Sequence, residues 1–292
     1  MAANGHTNRR IGKVIPSRPT MEGAGVHLRR AIGFAEPELY DPFLLLDDFR
    51  SDTPEEYLRG FPSHPHRGIE TITYVWTGDV EHEDSLGNRG VISAGDVQWM
   101  TAGSGIIHQE MPRGDAEGRM HGFQLWANLP ASQKMMDPRY RGVLSADIPE
   151  VADASGARIK VIAGQAAGVV GPVRDVVTDP EYLDVTVPPH IAFTHATPRG
   201  HTVFTYVAGG RATFSAADEA GEMIGDCHLV LFGDGDAVTV TTGDESVRFL
   251  LISGKPIGEP VAWYGPIVMN TREELRVAYD ELRRGTFIKV GR

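Results

Sequence analysis

Two short segments of the chain each place a pair of metal-ligand side chains two residues apart. The first pair is His64 and His66 in HPH (64–66), and the second is His108 and Glu110 in TAGSGIIHQEMP (101–112). Successive side chains of a strand point to opposite faces, so residues i and i+2 share a face and lie about 6.6 Å apart at the backbone. Two such pairs on neighbouring strands could bind one ion through three imidazoles and a carboxylate. The spacing therefore predicts a metal site.

Two glutamates compete for the role of the carboxylate ligand. Glu110 follows His108 by two residues, whereas Glu70 follows His66 by four, and both spacings keep the carboxylate on the histidine face of a regular strand. Spacing alone leaves both residues open as ligands. The HPH pair by itself is a weak signal, and the second pair makes metal binding the favoured interpretation.

Other polar groups near these motifs could bind the ion or supply a base. The run Glu81, His82, Glu83 and Asp84 is acidic and bounded by glycine, which is more typical of a solvated loop than of a catalytic segment. His82 and His121 could be further ligands or could hydrogen-bond to ligands. Each is more typical of a structural histidine whose hydrogen bonds are satisfied.

Aromatic and sulfur side chains surround the motifs and could form the wall of a pocket for a flat aromatic ligand. For each residue taken singly, packing in the core of a barrel is the favoured alternative. Trp99 and Met100 face opposite ways in a regular strand, so only one of them could line a cavity. The candidates are Trp76, Trp99, Met100, Met111 and Trp126.

The composition is that of a soluble globular protein without a surface for nucleic acid. Of 292 residues, 41% are hydrophobic and 23% charged, and the net charge of −11 would repel a polyphosphate backbone. The single cysteine, Cys227, excludes an intramolecular disulfide, and we expect an incidental or buried thiol. The apolar runs are far shorter than the roughly 18 residues that span a bilayer. The sequence predicts a cytoplasmic protein with no membrane role.

Glycine and proline fall regularly between short stretches of β-branched and aromatic residues, which predicts many short strands joined by turns. One helix is predicted in NTREELRVAYDELRRG (270–285), where Thr271 and Glu274 have the spacing of a capping box and Gly285 marks the end. The predicted strands are Ile69–Trp76, Gly90–Ile92, Val97–Met100, Gly122–Trp126, Ile159–Ile162, Leu183–Val187, Val203–Val207, Ala237–Val240 and Val247–Ile252.

The chain also repeats one β unit. RGIETITYVWTG (67–78) aligns with RGHTVFTYVAGG (199–210) at an offset of 132, and GDVQWMTAG (95–103) aligns with GDAVTVTTG (235–243) at an offset of 140. The segment 127–150 between the copies is polar and contains prolines, as linkers do. We therefore predict two domains, residues 1–143 and residues 144–292, each a small β-barrel or sandwich, with the helix at the end of the second.

The repeat serves as a control for the metal site. All four candidate ligands are absent from the second copy, although the Arg-Gly, Thr-Tyr-Val and Gly-Asp motifs of the scaffold remain. This joint absence indicates a site that is used once. The aligned residues are Ala196 and Pro198 at the first offset, and Arg248 and Leu250 at the second.

These motifs resemble those of a known family, the pirins, which are two-cupin members of the cupin superfamily. H-x-H-x3-E resembles the first cupin motif, HPHRGIETITY and GDVQWMTAGSGIIHQEMP closely resemble the pirin signature, and GKPIGEPVAWYGPIVMNTREE (254–274) is similar to its C-terminal signature. The resemblance implies an all-β bicupin fold. It implies one Fe(II), bound in the N-terminal barrel by His64, His66, His108 and Glu110, with Glu70 as a hydrogen-bonding partner that orients a histidine.

The resemblance implies two classes of function. Some pirins have quercetin 2,3-dioxygenase activity, and others act through protein partners as coregulators of transcription or modulators of metabolic enzymes. Three imidazoles and a carboxylate leave two positions of a six-coordinate ion open, enough for a deprotonated flavonol that binds through two oxygens. Glu110 would be the base that takes the enol proton.

The expected substrates are therefore a flavonol and O2, and the alternative is a redox-sensing module that binds a protein partner without turnover. Mn, Ni, Cu or Zn could occupy the same ligands in place of iron, because affinity order alone does not select among these metals. A monomer is expected, since repeated units usually pack on each other.

Overall fold

The computed structural model describes residues 7–214 and 221–290. Over these ranges the chain forms two compact units of antiparallel strands. The unit that contains residues 18–145 and 257–290 is the first barrel. The unit that contains residues 7–17 and 146–256, as far as described, is the second barrel. The prediction of an all-β fold with two cupin barrels is confirmed.

The strands up to residue 143 are β1 (Ile11–Pro16), β2 (Arg18–Glu22), β3 (Val26–Ile32), β4 (Phe43–Ser51), β5 (Phe61–His66), β6 (Ile69–Thr77), β7 (Asp79–Asp84), β8 (Arg89–Ile92), β9 (Val97–Thr101), β10 (Ile106–Arg113), β11 (Met120–Asn128) and β12 (Arg139–Val143). The later strands are β13 (Glu150–Ala152), β14 (Arg158–Ala163), β15 (Gln165–Ala166), β16 (Val169–Val170), β17 (Glu181–Val187), β18 (Ala192–Ala196), β19 (Thr202–Ala212), β20 (Ile224–Gly225), β21 (His228–Phe232), β22 (Ala237–Thr241), β23 (Val247–Gly254), β24 (Ala262–Tyr264) and β25 (Ile267–Met269). Each predicted strand corresponds to one of these.

Two α-helices are described, α1 (Pro37–Tyr40) and α2 (Arg272–Arg284), together with 3₁₀ turns at Pro54–Glu56 and Ser145–Asp147. Helix α2 begins and ends as the sequence predicts. The hydroxyl of Thr271 accepts from the Glu274 N–H at 3.2 Å, and the Glu274 carboxylate accepts from the Thr271 N–H at 2.9 Å. Gly285 ends the helix in the left-handed conformation, with φ of 67°.

The first barrel has two sheets whose inner faces line one cavity. The larger sheet has seven strands in the order β12-β9-β6-β11-β4-β3-β2, and the smaller has four in the order β5-β10-β7-β8. Alternation of buried and half-buried residues along β10 shows which side chains point inward, and His108 and Glu110 are both among the buried ones. Strand β10 lies between β5 and β7, so its inward residues meet those of both neighbours.

The second barrel repeats the strand order around a filled interior. Its main sheet runs β1-β21-β19-β23-β17-β14-β13, and β18 pairs with β22. Phenylalanines at 193, 214 and 249 join aliphatic side chains in one cluster of residues that are nearly all fully buried. The inward residues of β18 and β22 are Phe193, His195, Val238 and Val240. Cys227 is half-buried.

The units differ from the predicted domains at both ends of the chain. Strand β1 pairs with β21 and belongs to the second barrel, whereas residues 257–290, including α2, belong to the first. Between the copies, residues 127–150 are not a linker: β12 pairs with β9, and Lys134 is 1% exposed. Sequence reasoning assigned each end to its nearest barrel because strand pairing between distant segments leaves no local signal.

The structure also corrects the second half of the internal alignment. The central strand β6 lies between β9 and β11, and its counterpart β19 lies between β21 and β23. The counterpart of β9 is therefore β21, and that of β10 is β22, since β10 pairs with β5 as β22 pairs with β18. The offset of 140 had matched two Gly-Asp turns that precede different strands. The inward positions of β22 are valines, so the second barrel still lacks counterparts of His108 and Glu110.

Within the described ranges, neither helix is long and apolar enough to cross a membrane.

Candidate metal centre and its cavity

Three histidines converge at one end of the first barrel. His64 and His66 lie on β5, and His108 lies directly opposite His64 on β10. The Nε2 atoms of His64 and His66 are 3.1 Å apart, and those of His64 and His108 are 2.9 Å apart. The structure thus brings three of the four predicted ligands together.

Hydrogen bonds on the far side of two rings fix their tautomers. His64 Nδ1 lies 2.9 Å from the Pro62 carbonyl, and His66 Nδ1 lies 3.0 Å from the Pro266 carbonyl. A carbonyl only accepts, so each Nδ1 carries the proton and each Nε2 has a free lone pair. Two lone pairs that face each other at 3.1 Å repel unless a cation lies between them. This arrangement fits a metal ion.

The electrostatic environment keeps His66 and His108 neutral, which metal binding requires. Burial, with a smaller contribution from His64, holds the pKa of His66 well below its usual range. Burial, together with His66 and His64, has the same effect on the pKa of His108. The two rings are therefore available as ligands rather than as cations at neutral pH.

Glu110 lies beside this group rather than inside it. One carboxylate oxygen is within 4.8 Å of ligand atoms of His82 and His108, but the four predicted ligands do not form a single group. Its Oε1 lies 2.9 Å from the hydroxyl of Thr73 on β6. His82 stands opposite Glu110 on β7. The site is thus three histidines plus one neighbouring carboxylate.

Glu70 does not orient a histidine, contrary to the prediction. Its Oε1 accepts from the Thr101 hydroxyl at 2.6 Å and its Oε2 from the Trp99 indole at 3.0 Å. Gly68, with φ of 78°, separates β5 from β6, so the strand face is not continuous from His66 to Glu70. Thr73 faces the cavity, and Glu70 precedes it by three residues on β6. Because successive side chains of a strand alternate in direction, Glu70 lies on the opposite face of β6.

The acidic run forms strand β7 rather than a solvated loop. Glu81 and Glu83 form exposed ion pairs with arginines, as a solvated segment would. His82 and Asp84 are buried and face inward, and His82 Nε2 lies 3.2 Å from the Asp84 carboxylate. His82 therefore belongs to the surroundings of the site, whereas His121 lies 3.2 Å from Asp48 and has the structural role that was favoured.

A cavity of about 400 Å³ opens beside the histidines, and residues of both sheets of the first barrel line it. Of the five aromatic and sulfur candidates, Trp126 alone is among the lining residues. Trp99 and Met100 are both buried away from the cavity, at 3% and 0% exposure. The Trp126 ring meets the His66 ring edge to face at 5.0 Å between centroids.

Sequence reasoning missed the polar part of the cavity wall. Thr73, Gln124, Asp47 and Arg30 all line it, on four different strands. One local signal was available, because Asp47 follows the apolar run FLLL (43–46), and a carboxylate inside a buried strand needs a partner. The other three residues carry no such signal. The Pro266 carbonyl that orients His66 was missed as well, since it is about 200 residues away in the chain.

Comparison with known proteins relates this site to a family. The sequence model described as "Pirin" matches residues 25–127, and the "Pirin C-terminal cupin domain" matches residues 182–288. A "Pirin-like protein" of Caulobacter vibrioides is 44% identical over 280 residues, covering 96% of this chain and 99% of the relative. A Pseudomonas aeruginosa protein named "putative quercetin 2,3-dioxygenase" is 43% identical over 271 residues, covering 91% and 94%.

A solved structure agrees over the whole length. The crystal structure of quercetin 2,3-dioxygenase from Acinetobacter baumannii is 30% identical in sequence, with a TM-score of 0.87. The match covers 97% of this chain and 100% of that one. The two-barrel fold is therefore shared from end to end.

Proposed function

The chain belongs to the pirin family, and on that premise we propose that it is a metal-dependent dioxygenase that opens quercetin-like flavonols, with Fe(II) as its metal. The observation that carries the proposal is the convergence of the Nε2 atoms of three histidines at one end of a cavity of about 400 Å³. The names given to its relatives from Pseudomonas aeruginosa and Acinetobacter baumannii support the substrate class.

The donor set suits a divalent transition metal. His64, His66 and His108 would hold the ion, and Glu110, two residues after His108 on the same face of β10, would be the fourth ligand. When bound, the ion would act as a Lewis acid that lowers the pKa of an enol hydroxyl. In the reaction both atoms of O2 enter the product, the 2,3 bond and the 3,4 bond break, and carbon 3 leaves as carbon monoxide.

Residues of this chain supply the base and its orientation. Glu110 takes the proton of the 3-hydroxyl, because it is the carboxylate beside the histidines and its Oε2 is not used by Thr73. Trp126, Phe61 and the three prolines of the lining offer apolar surface to a flat ring system and keep water from the reacting carbons.

The test is anaerobic loading with Fe(II), followed by quercetin and O2. We expect oxygen uptake and carbon monoxide release in equal amounts, with iron content measured in the same sample. No turnover at full iron occupancy would reject the enzyme and favour the module that binds a protein partner.

Replacing Glu110 by Gln tests the base separately. We expect the variant to keep bound iron through the three histidines but to lose at least about 100-fold in kcat, the contribution of a positioned base. Retained iron together with retained turnover would exclude Glu110 as the base.

A further inference from the structure

A row of four polar side chains crosses the wall of the cavity in the first barrel. Thr73 on β6 stands opposite Gln124 on β11. Asp47 on β4 stands opposite Gln124 on one side and opposite Arg30 on β3 on the other. Neighbouring strands are about 4.8 Å apart, so Asp47 lies about 10 Å along the wall from Thr73. The polar row therefore leads away from Glu110, the hydrogen-bond partner of Thr73.

The outer part of the polar row is an ion pair with spare acceptor capacity. Arg30 Nε and Nη2 donate to the two oxygens of Asp47 at 2.8 and 2.7 Å, and Nη1 donates to Glu22 at 2.8 Å. Each oxygen of Asp47 accepts one of these bonds and keeps a second lone pair. Burial raises the pKa of Asp47 to about 6 although Arg30 opposes the shift, so the carboxylate is the main form at neutral pH.

The middle of the polar row also presents an acceptor. Thr73 Oγ1 lies 2.9 Å from Glu110 Oε1 and 2.6 Å from the amide oxygen Oε1 of Gln124. A hydroxyl has one proton and cannot donate to both oxygens, so when Thr73 donates to Glu110, the Gln124 amide adopts the flipped orientation in which its NH2 donates to Thr73. In that orientation the amide oxygen accepts no bond from Thr73, and Gln124 lines the cavity opposite Asp47.

Apolar side chains lie on both sides of the polar row. Trp126 stands opposite Leu45 on one side, and Phe49 and Leu28 lie on the other. All four line the cavity. A flat aromatic molecule can therefore contact apolar surface while hydroxyl groups at its edge reach the acceptors.

The second barrel shows that the fold does not need this row. The repeat places Thr205 at the position of Thr73, and the same strand ladder leads from it to Leu251, Leu183 and Val161. These three aliphatic residues are fully buried in the core cluster. At the same three positions, the barrel with the histidine cluster carries an amide and an ion pair in place of aliphatic side chains. This difference indicates that the polar row serves a ligand rather than the fold.

We propose that Gln124 and Asp47 form a hydroxyl-binding subsite that selects flavonols with phenolic hydroxyl groups on a ring distant from the histidines. The subsite rests on the proposed function, because a flavonol held at the histidines by its 3-hydroxyl and 4-keto oxygens would extend its ring hydroxyls along the polar row, whose Asp47 end lies about 10 Å from Thr73. Arg30 is a positioning residue that holds the Asp47 carboxylate toward the cavity.

Anaerobic titration of the Fe(II)-loaded protein with two ligands tests the subsite without turnover. Quercetin carries ring hydroxyls, whereas 3-hydroxyflavone keeps the chelating group and lacks them. We expect wild-type protein to bind quercetin at least about 10-fold more tightly, the effect of hydrogen bonds to a charged acceptor. The double variant Arg30→Val/Asp47→Leu, which copies Val161 and Leu183, should bring this ratio close to one and leave the affinity for 3-hydroxyflavone within about 2-fold.

Asp47→Asn is the conservative second variant and should lower the ratio about 3-fold, since it keeps an acceptor without the charge. It decides the test if the double variant fails to fold. The matched control is Asp184→Asn, because Arg248 donates two bonds to Asp184 with the same bidentate geometry, outside the cavity. The control should keep the wild-type ratio.

The outcomes separate this inference from the proposed function. Tight flavonol binding with a ratio that the Asp47 variants do not change, or a wild-type ratio near one, would overturn the subsite and leave the dioxygenase standing. Absence of binding by either ligand to fully loaded protein would overturn both.

Discussion

The two barrels have the same strand order but differ in the side chains that their inner faces carry. In the first barrel, inward positions of β5, β7 and β10 carry histidines and carboxylates beside a cavity of about 400 Å³. In the second barrel, the corresponding pair β18 and β22 contributes Phe193, Val238 and Val240 to a closed core. Shared features such as the strand order and the Thr-Tyr-Val segment therefore belong to the scaffold, and the differences define the site.

One histidine makes the comparison more exact. His195 also faces inward in the second barrel, but its Nε2 lies 3.2 Å from a carboxylate oxygen of Glu181. The Ser253 hydroxyl donates to the other oxygen of that carboxylate. The Nε2 atom of His195 is thus hydrogen-bonded to a carboxylate, whereas the Nε2 atoms of His64 and His66 face each other. An inward position alone therefore does not make a histidine a candidate metal ligand. Its hydrogen-bond partners determine whether a ring nitrogen is available to bind an ion.

The largest expected effect comes from making the first barrel resemble the second at β10. His108→Val places there the side chain that β22 carries, and it removes one of three converging nitrogens. We expect Fe(II) affinity to fall by at least about 100-fold, more than the loss of a residue that only orients a ligand. Metal content after dialysis and calorimetric titration measure the change.

His195→Val is the matched control in the second barrel. It removes an inward histidine of similar burial and should leave metal content at the wild-type level. Equal losses in both variants would show that the effect is general destabilisation rather than loss of a ligand.

Two glycines at equivalent places in the repeat give the next largest effect. A Cβ on Gly68 would lie 1.9 Å from the Val268 carbonyl, whereas nothing lies within 4 Å of a Cβ on Gly200. Both have positive φ, so alanine is strained at either position and only Gly68→Ala adds a clash. We expect about 1 kcal/mol of destabilisation for Gly200→Ala and about 3 kcal/mol or more for Gly68→Ala.

Chemical denaturation measures both free energies of unfolding. Iron affinity should also fall in Gly68→Ala alone, because Gly68 follows His66 by two residues. Equal destabilisation of the two variants would mean that the close approach to Val268 is relieved at little cost.

The contrast between the barrels also shows which features could be read from the sequence. Local patterns sufficed for helix α2, for the strands and for the three histidines that come together on β5 and β10, because a period of two and a capping box are determined by nearby residues. Glu70 was misassigned because a kink at Gly68 interrupts the period. The polar row could not be found, since its members meet only through the pairing of four strands.

The polar row predicts a pH dependence that the aliphatic row of the second barrel cannot have. Burial raises the pKa of Asp47 from 3.8 to about 6, so the folded state retains a proton that the unfolded chain loses. Its contribution to the free energy of unfolding therefore falls as pH rises from about 4 to 6, by about 3 kcal/mol in total.

Asp47→Asn removes this titration. The free energy of unfolding of the variant, relative to that of wild type, should increase from pH 4 to pH 7. Loss of the ion pair can add an offset between the two proteins, but this offset does not change with pH. Denaturation of both proteins across this range gives the difference directly. A difference that does not change with pH would show that Arg30 holds the carboxylate ionised throughout.

The smallest effect concerns the two threonines that the repeat aligns. Thr73 bonds to Glu110, whereas Thr205 Oγ1 is buried and has no hydrogen-bond partner within the described ranges. Thr73→Val should lower kcat about 10-fold with little change in KM for quercetin, because a hydroxyl that orients the base acts mainly on the proton transfer. Thr205→Val should leave kcat unchanged, and Thr73→Ser should restore it since the hydroxyl returns. If Thr73→Ser behaved like Thr73→Val, the methyl packing of Thr73 rather than its hydrogen bond would be what distinguishes the site from its counterpart.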